Sequence, residues 1–254
     1  MLKYHGADKD FSLDGKIAIV TGGAAGIGLA TVQFFALKNV MVIAADLNPQ
    51  VDAIVKAVDA RFVGIAGDIT QSDYRQSVVD YAINHFGRID ILVNSAGIAI
   101  LEKAQSLSEE KWDLTMNLNL KASFLMAQLV GLQMITQQEG SIVNMASQAG
   151  VIALDEHVAY CASKAAVISM TQVLAYEWGQ YGVRVNCVSP TVVMTELGKN
   201  AWAGQKGEDM KKQIPALRFA EPDEIAASIA FLCSKGAGMI TGANLMIDGG
   251  YTIK

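Results

Sequence analysis

The sequence predicts a doubly wound α/β protein, in which helices cover both faces of a parallel sheet of about seven strands. Short apolar, β-branched segments alternate with helix-length segments along the 254 residues. The strand segments are apolar on both faces, which is typical of a parallel sheet that is covered on both sides. The sequence shows no linker, low-complexity tract or repeat, so we expect residues 1–254 to form a single domain.

Each element is predicted from its apolar pattern and its length. The strands are predicted at 16–20, 40–45, 61–66, 89–93, 140–145, 182–188 and 243–247. The helices are predicted at about 26–37, 50–59, 71–86, 108–137, 157–180 and 223–234. Residues 195–214 break this alternation because they are rich in Gly, Lys and Glu, and we expect a mobile substrate flap there.

Composition narrows the possible functions. Hydrophobic residues make up 52% of the chain and charged residues 18%, which excludes global disorder. The net charge is −5 and no basic block occurs, so we expect no nucleic-acid partner. Apolar runs such as 17–20 and 40–45 are much shorter than the roughly 18–20 residues of a membrane-spanning helix, so we expect no membrane partner.

The cysteines and the N-terminus indicate a cytoplasmic protein. The three cysteines show neither CxxC nor Cys/His metal-ligand spacing, so we expect free thiols and no metal site. The first residues carry charges and lack an apolar signal-peptide region.

A glycine-rich loop joins the first predicted strand to the first predicted helix. Its sequence is Thr-Gly-Gly-Ala-Ala-Gly-Ile-Gly, residues 21–28. A sharp turn, a close backbone approach to a pyrophosphate and tight helix packing all favour residues without a Cβ, and the helix N-terminus supplies free N–H groups. A purely structural turn is the alternative, but the position between strand and helix favours a dinucleotide site.

The second strand ends in Asp46, twenty residues after Gly26. A carboxylate there accepts both hydroxyls of an adenosine ribose and repels a 2′-phosphate. None of the residues 47–49 is basic, so the sequence predicts NAD rather than NADP. A solvated strand-end carboxylate is the alternative. Asp68 and Ile69 end the third strand, where an adenine amino group would be read, and helix capping is the alternative for Asp68.

Further motifs occur in the order found in the short-chain dehydrogenase/reductase family, which the chain resembles over essentially its whole length. The glycine spacing is Gly-x-x-x-Gly-x-Gly, and the later motifs are Asn94-Ser95-Ala96-Gly97, Leu118-Asn119-Leu120, Asn144-Met145-Ala146-Ser147, Tyr160-x-x-x-Lys164, Ser189-Pro190-Thr191-Val192-Val193-Met194-Thr195 and Asp248-Gly249-Gly250. Ser95 and Thr191 depart from the family pattern. The resemblance implies a Rossmann-like fold and an oxidoreductase.

Tyr160 and Lys164 lie four residues apart and therefore share one face of a helix. A free phenol, with a pKa near ~10, is a poor base at neutral pH. A nearby ammonium, helped by the positive charge of a nicotinamide, favours the phenolate. We therefore predict that Tyr160 is the general base in alcohol oxidation and the general acid in the reverse direction. A surface contact is the alternative for the pair alone, but its spacing from Ser147 matches the family.

Ser147 and Asn119 complete the predicted catalytic group. The Ser147 hydroxyl is expected to donate to the substrate oxygen as charge develops there. Asn119 lies in a predicted helix, where asparagine is a poor helix former, and the resemblance implies that it holds a water in a proton relay through Lys164. Asn117 is the competing candidate, but Asn119 fits the motif better.

The resemblance also implies where the dinucleotide is bound and that Lys164 donates to the nicotinamide ribose. The predicted cofactor contacts are Gly22, Ala25, Gly26, Ile27, Gly28, Asp46, Leu47, Asp68, Ile69, Asn94, Ala96, Gly97, Tyr160, Lys164, Pro190, Val193 and Thr195.

Substrate contacts are predicted around the reacting carbon, at Gln148, Ala149, His157, Val192, Leu197 and Trp202. Gln148 and His157 could bind hydroxyls, with His157 as a hydrogen bonder rather than a base. Trp202 either covers a small cavity or packs the flap. The stretch 190–195, taken together with Tyr160-Cys161, His157 and Trp202, resembles the branch of the family that contains polyol dehydrogenases and L-xylulose reductases.

The predicted function is NAD-dependent interconversion of a secondary alcohol of a small polyol and its ketone. A 3-ketoacyl reductase is the alternative enzyme, and a non-catalytic dinucleotide-binding sensor is the alternative of another class. The apolar helices at 108–137 and 157–180 carry more apolar surface than one sheet face needs. Together with the habit of the family, this predicts a homotetramer.

Overall fold

The computed structural model describes residues 10–253, and its seven strands form one parallel sheet. The strand order is β3-β2-β1-β4-β5-β6-β7. The strands are β1 (Ile17–Thr21), β2 (Met41–Asp46), β3 (Val63–Ala66), β4 (Ile91–Asn94), β5 (Gly140–Met145), β6 (Val183–Pro190) and β7 (Asn244–Ile247). The predicted fold class and the seven strands are confirmed.

Helices cover both faces of the sheet and bury a separate apolar core on each. They are α1 (Gly26–Leu37), α2 (Val51–Val58), α3 (Ser72–Phe86), α4 (Glu109–Met116), α5 (Ser123–Gln137), α6 (Val158–Trp178), α7 (Glu196–Ala201), α8 (Gln205–Lys211) and α9 (Pro222–Cys233). Phe35 of α1 and Ile229 of α9 belong to one core. Met126 of α5 and Leu174 of α6 belong to the other.

The helix predicted at 108–137 is divided by a π-helical segment, Asn117–Ala122, between α4 and α5. A π-helical turn contains one residue more than an α-helical turn, so the side chains that follow it point in different directions from those in a continuous α-helix. No proline or glycine occurs at or near 117–122, so the apolar pattern shows no break there and predicts a single helix. Such segments are frequent at functional sites, and this one contains Asn119.

The segment 195–214, predicted as a mobile substrate flap, contains two short helices, α7 and α8. Both helices are too short to give a periodic pattern in the sequence. Met210, Ile214 and Phe219 are buried in a small apolar cluster that anchors the far end of the flap. The side chain of Leu197 lies outside the described part of the structure.

Two continuous helical stretches, 109–137 and 158–181, are long and apolar enough to cross a membrane by length and composition alone. In this fold their inner residues, including Met126 and Leu174, are buried against the sheet, as in the core helices of a globular protein. Less than half of each apolar window is buried, and outer residues such as Leu132 and Val173 are exposed.

Candidate active site

The predicted site residues lie at the carboxyl edge of the sheet. The strand order reverses its direction between β1 and β4, and parallel α/β proteins bind ligands in the crevice at such a point. The glycine loop leaves β1 there, and Asp46 and Asn94 end β2 and β4. Ser147 follows β5, and Pro190 ends β6. The topology therefore brings distant motifs to one crevice.

The loop from β1 to α1 leaves no room for side chains. Gly22 and Gly26 have φ angles of +69° and +53°, in the left-handed region that favours glycine. A Cβ on Gly28 would lie 1.9 Å from the carbonyl oxygen of Gly22, and a Cβ on Gly22 would lie 3.0 Å from the backbone of Ala96. Ala25 precedes α1 without a side-chain cap, so the helix N-terminus keeps its N–H groups for an anion. This bare cradle fits a dinucleotide pyrophosphate, with Ile27 in the first turn of α1.

Asp46 is fixed beside this loop by two backbone amides. Its Oδ2 accepts a hydrogen bond from the N–H of Ala24 at 2.9 Å, and its Oδ1 accepts one from Asn48 at 2.9 Å. The carboxylate stays partly exposed, and the following Leu47 is exposed. These two hydrogen bonds hold the Asp46 side chain in one orientation at the end of β2, where a ribose would be bound. The alternative of a freely solvated carboxylate does not include such bonds.

Asp68 lies in the turn before α3. Its Oδ1 accepts hydrogen bonds from both the N–H and the hydroxyl of Thr70, each at 2.8 Å. These bonds hold the pKa of Asp68 below its usual range. The carboxylate therefore stabilises the turn that leads into the helix, while Ile69 next to it is buried.

Asn94 turns its side chain into the protein interior. Its Nδ2 donates to the carbonyl oxygen of Ser123 at 3.1 Å and to Oδ1 of Asn144 at 2.9 Å, which ties β4 to α5 and β5. The chain after β4 is fixed by Thr21, whose hydroxyl accepts hydrogen bonds from the N–H groups of Ser95 and Ala96 at 3.1 and 3.2 Å. Sequence reasoning missed this role of Thr21, although a polar residue at the end of a buried strand is a signal for it.

Lys164 is a buried ammonium group on α6. Its Nζ donates to the carbonyl oxygen of Met145 at 2.7 Å and lies 5.5 Å from the ring centre of Tyr160. Burial lowers the pKa of Lys164 to about 8. The predicted juxtaposition of Tyr160 and Lys164 on one helix face is therefore present, with the cation held in a desolvated position.

Burial raises the pKa of Tyr160 above its usual value, and a hydrogen bond with the Ser147 side chain only partly offsets this effect. In the protein without a dinucleotide, this rise in the pKa of Tyr160 is opposite to the lowering predicted from the nearby Lys164. The reason is that the same burial that disfavours the phenolate also disfavours the ammonium beside it. Ser147 itself is buried, and its Oγ accepts a hydrogen bond from the N–H of Ala149 at 3.1 Å.

Asn119 acts as a clamp between two segments. Its Oδ1 accepts from the N–H of Ile98 at 2.9 Å, and its Nδ2 donates to the Ile98 carbonyl at 2.9 Å and to the Ser163 hydroxyl at 3.1 Å. Both Nδ2 hydrogens are thus used within the protein, which leaves no side-chain donor for the predicted water. Gly97 lies against the clamp, since a Cβ there would be 3.0 Å from Oδ1 of Asn119. The buried position of Asn119 favours it over the half-buried Asn117.

Two of the predicted substrate residues offer hydrogen-bond acceptors. Gln148 directly follows Ser147 and is buried, and its Oε1 has no hydrogen-bond partner within the described residues. His157 uses Nδ1 for a hydrogen bond with the carbonyl of Asp155, and its ring lies edge-on to Tyr160 with the centres 6.1 Å apart. Because a carbonyl only accepts, Nδ1 carries a hydrogen, and in the neutral form of the imidazole Nε2 is then an acceptor.

Trp202 packs inside the flap. Its ring centre lies 5.9 Å from that of Phe219, and Nζ of Lys206 lies 4.7 Å over the ring. Val192 joins the same apolar cluster. Of the two interpretations of Trp202, the structure favours packing of the flap.

The segment after β6 approaches the glycine loop. Thr195 caps α7 by accepting a hydrogen bond from the N–H of Gly198 at 3.1 Å, and its Cγ2 would lie 3.3 Å from a Cβ on Gly26. Val193 is buried and forms a bridge with Ala220. Two groups of predicted cofactor contacts, the glycine loop and the segment after β6, are therefore in neighbouring positions.

Comparison with known proteins agrees with this geometry. A family model described as enoyl-(acyl carrier protein) reductase matches residues 22–252. The NAD-dependent glycerol dehydrogenase of Listeria innocua is 56% identical over 254 residues, which cover 100% of both chains. The D-threitol dehydrogenase of Mycolicibacterium smegmatis is 53% identical over 251 residues, which cover 97% of this chain and 96% of that one.

A solved structure shows the same fold. The crystal structure of a short-chain type dehydrogenase/reductase from Mycobacterium marinum superimposes with a TM-score of 0.89 at 30% identity and covers 96% of this chain and 98% of that one. With the ordered motifs at one edge of the sheet and relatives matched from end to end, the chain belongs to the short-chain dehydrogenase/reductase family.

Proposed function

We propose that this chain is an NAD-dependent dehydrogenase that oxidises a secondary alcohol of a small polyol, such as glycerol or a tetritol, to the ketone, and that catalyses the reverse reduction. The observation that carries this proposal is the grouping of Tyr160 with Ser147 and the buried Lys164 in the crevice at the carboxyl edge of the sheet. Two relatives that match nearly the whole chain are named as a glycerol dehydrogenase and a threitol dehydrogenase, which supports the substrate class.

The chain's own residues account for dinucleotide binding. The cradle at Gly22 and Gly28 would hold the pyrophosphate, and the fixed carboxylate of Asp46 would accept the adenosine ribose hydroxyls. The same carboxylate repels a 2′-phosphate, which favours NAD. When it is bound, the nicotinamide group supplies the hydride acceptor.

Tyr160 acts as the general base in the oxidation and as the general acid in the reduction. In the oxidation its phenolate oxygen accepts the proton of the substrate hydroxyl, and in the reduction the phenol returns it. The Ser147 hydroxyl donates to the substrate oxygen while charge develops there. Burial raises the pKa of Tyr160, and the nearby ammonium of Lys164 would favour the phenolate, as would the positive charge of a nicotinamide when it is bound. Asn119 positions this group through its clamp rather than through a side-chain water.

Two acceptors favour a polyhydroxy substrate, one on Gln148, which directly follows Ser147, and one on His157, which lies beside Tyr160. Within the part of the chain that the structure describes, Oε1 of Gln148 is a buried acceptor without a partner, and such a group costs about 1–3 kcal/mol when it stays unsatisfied. A hydroxyl next to the reacting carbinol would donate to it, and Nε2 of His157 could accept a second one. A simple ketoacyl chain has no hydroxyl for either acceptor.

Initial rates with a panel of glycerol, tetritols, pentitols and monohydric secondary alcohols, each with NAD and with NADP, test the proposal. We expect NADH formation to be fastest with a small polyol, and Gln148→Leu to reduce kcat/KM for polyols more than for a monohydric alcohol. Absence of polyol turnover together with rapid reduction of a 3-ketoacyl thioester would overturn the substrate assignment. Absence of any dinucleotide-linked turnover would favour a binding protein.

We also propose a cytoplasmic homotetramer. Cys161, Cys187 and Cys233 are free thiols in the described chain, which supports a reducing compartment. The outer faces of α5 and α6 expose Leu132 and Val173, which supports burial of these helices between subunits.

A further inference from the structure

Ser163 is completely buried on α6, between the two residues that the proposed mechanism uses most. Its hydroxyl donates to the carbonyl oxygen of Tyr160 at 2.8 Å and accepts from Nδ2 of Asn119 at 3.1 Å. A hydroxyl can donate one hydrogen bond and accept two. Ser163 therefore uses its only donor on the backbone that carries Tyr160, and one of its acceptor positions on Asn119.

These bonds continue to the loop after β4. Asn119 holds both the N–H and the carbonyl of Ile98, and Gly97 packs on Oδ1 of Asn119. A Cβ on Gly97 would also lie only 3.7 Å from Nζ of Lys164. A continuous line of hydrogen bonds thus runs from the predicted cofactor-binding loop, through Asn119 and Ser163, to the carbonyl of Tyr160.

The last of these hydrogen bonds reaches the carbonyl of Tyr160, which lies in the first turn of α6. The first turn of a helix has fewer internal hydrogen bonds than its middle. Tyr160 is the third residue of α6, and the residue before the helix provides no side-chain cap. First turns of helices fray more readily than their middles, because their N–H groups lack partners in the helix. The bond from Ser163 ties the first turn to the π-helical segment, which is itself held to the β4 loop.

We propose that Ser163 is a positioning residue that couples the cofactor-binding loop at Gly97 and Ile98 to the placement of Tyr160. The inference rests on the proposed function, because it assigns to Ser163 the task of holding the proposed acid/base residue. Without the Ser163 hydroxyl, Nδ2 of Asn119 loses one acceptor and the first turn of α6 loses its side-chain tie. A small displacement of a reacting group lowers the rate of the chemical step more than it lowers binding.

Ser163→Ala tests the proposal in steady-state kinetics with NAD and the best polyol of the panel. We expect kcat to fall about tenfold, while KM and the dissociation constant for NADH, followed by its fluorescence, stay within about twofold of the parent. Ser163→Cys fills the same space with a weak donor and is expected to lower kcat similarly while it keeps the melting temperature near that of the parent.

Ser228→Ala is the matched control. Its hydroxyl also donates to a carbonyl on its own helix, that of Glu224 at 3.0 Å, but α9 packs on the opposite face of the sheet. We expect this variant to keep the parental kcat. Parental kcat in the two Ser163 variants, or an equal loss in Ser228→Ala, would overturn the proposal.

The double variant Asn119→Ala/Ser163→Ala shows whether the two residues act in one line. If they do, its kcat equals that of Asn119→Ala alone, whereas multiplied losses contradict the coupling. Tyr160→Phe is measured in parallel. Full activity of Tyr160→Phe would refute the proposed function, while an inactive Tyr160→Phe beside parental Ser163 variants would refute only the coupling.

Discussion

At the scale of single residues, burial of the Lys164 ammonium group has a large energetic cost. Lys164 is buried, and its ammonium group is held by the carbonyl of Met145. Burial lowers the pKa of Lys164 from 10.5 to about 8, which corresponds to about 3 kcal/mol against the charged form. A desolvated cation beside Tyr160 is useful for stabilising a phenolate, so the site trades folding stability for chemistry.

Replacement of Lys164 by Met should therefore stabilise the free protein while it inactivates the enzyme. Between pH 8 and 10.5 the unfolded chain binds the lysine proton and the folded chain releases it, so the parent gains stability as pH rises through this window. Below pH 8 the full cost remains. After the lost bond to Met145 is counted, we expect Lys164→Met to raise the free energy of unfolding by about 2 kcal/mol at pH 7.

Urea unfolding at pH 7, 9 and 10.5 measures this effect. The advantage of Lys164→Met should shrink with rising pH and vanish near pH 10.5. Lys235→Met, at an exposed lysine, is the control and should show no such dependence. A variant that is less stable than the parent at every pH would show that Lys164 is not penalised by burial.

Several residue roles could be predicted from the sequence, and others could not. Tyr160, Lys164 and Asp46 stand out because their spacing and order are readable in one dimension. The raised pKa of Tyr160 and the use of both Nδ2 hydrogens of Asn119 were not predictable, since they depend on burial and on partners that are distant along the chain. Ser163 gave no signal for the same reason.

At the scale of elements, the junction of β1 and α1 is the most constrained part of the site. Gly28 approaches the carbonyl oxygen of Gly22 so closely that any Cβ would collide with backbone. Such a contact is not relieved by moving a side chain, and overpacking typically costs about 1–3 kcal/mol. The shape of the cradle therefore depends on glycine at this position.

Gly28→Ala is expected to weaken NADH binding about tenfold or more, because α1 must shift away from the cradle. Gly179→Ala is the control, since nothing lies within 4 Å of a Cβ there and its φ angle is −56°. Fluorescence titration with NADH and the melting temperature measure both variants. Unchanged NADH affinity in Gly28→Ala would show that the loop is only a structural turn.

Most elements were predictable within one or two residues, because apolar runs and their lengths are local signals. The exceptions are the π-helical segment Asn117–Ala122 and the short helices α7 and α8. The first depends on one extra residue per turn, which leaves no mark in composition. Of the two short helices, α8 contributes Met210 to the cluster around Ile214, and Trp202, which directly follows α7, packs against the same cluster. That cluster exists only in the folded chain.

At the scale of the whole molecule, the unburied faces of α5 and α6 are the main unexplained apolar surface. Leu132, Val173 and Tyr176 are 61%, 51% and 89% exposed. These helices already pack on the sheet with their other faces, so their outer residues are available to another subunit. The apolar excess was readable in the sequence, whereas the choice of exposed residues needed the fold.

Val173→Glu should disrupt the proposed assembly. Burying a carboxylate between apolar helices is unfavourable, so we expect sedimentation to change from four times the 27.1 kDa chain mass to smaller species. Leu37→Glu is the control, because Leu37 is 83% exposed on α1 at the opposite face. A parent that sediments as one chain at micromolar concentration would contradict the tetramer.

The most direct test of the whole account is the rate of NADH formation by Tyr160→Phe with NAD and the best small polyol. Removal of this one oxygen deletes the proposed proton acceptor and leaves the cradle and Asp46 intact. We predict a loss of about a thousandfold in kcat with NADH affinity nearly unchanged. A Tyr160→Phe enzyme that oxidises the polyol at close to the parental rate would contradict the account.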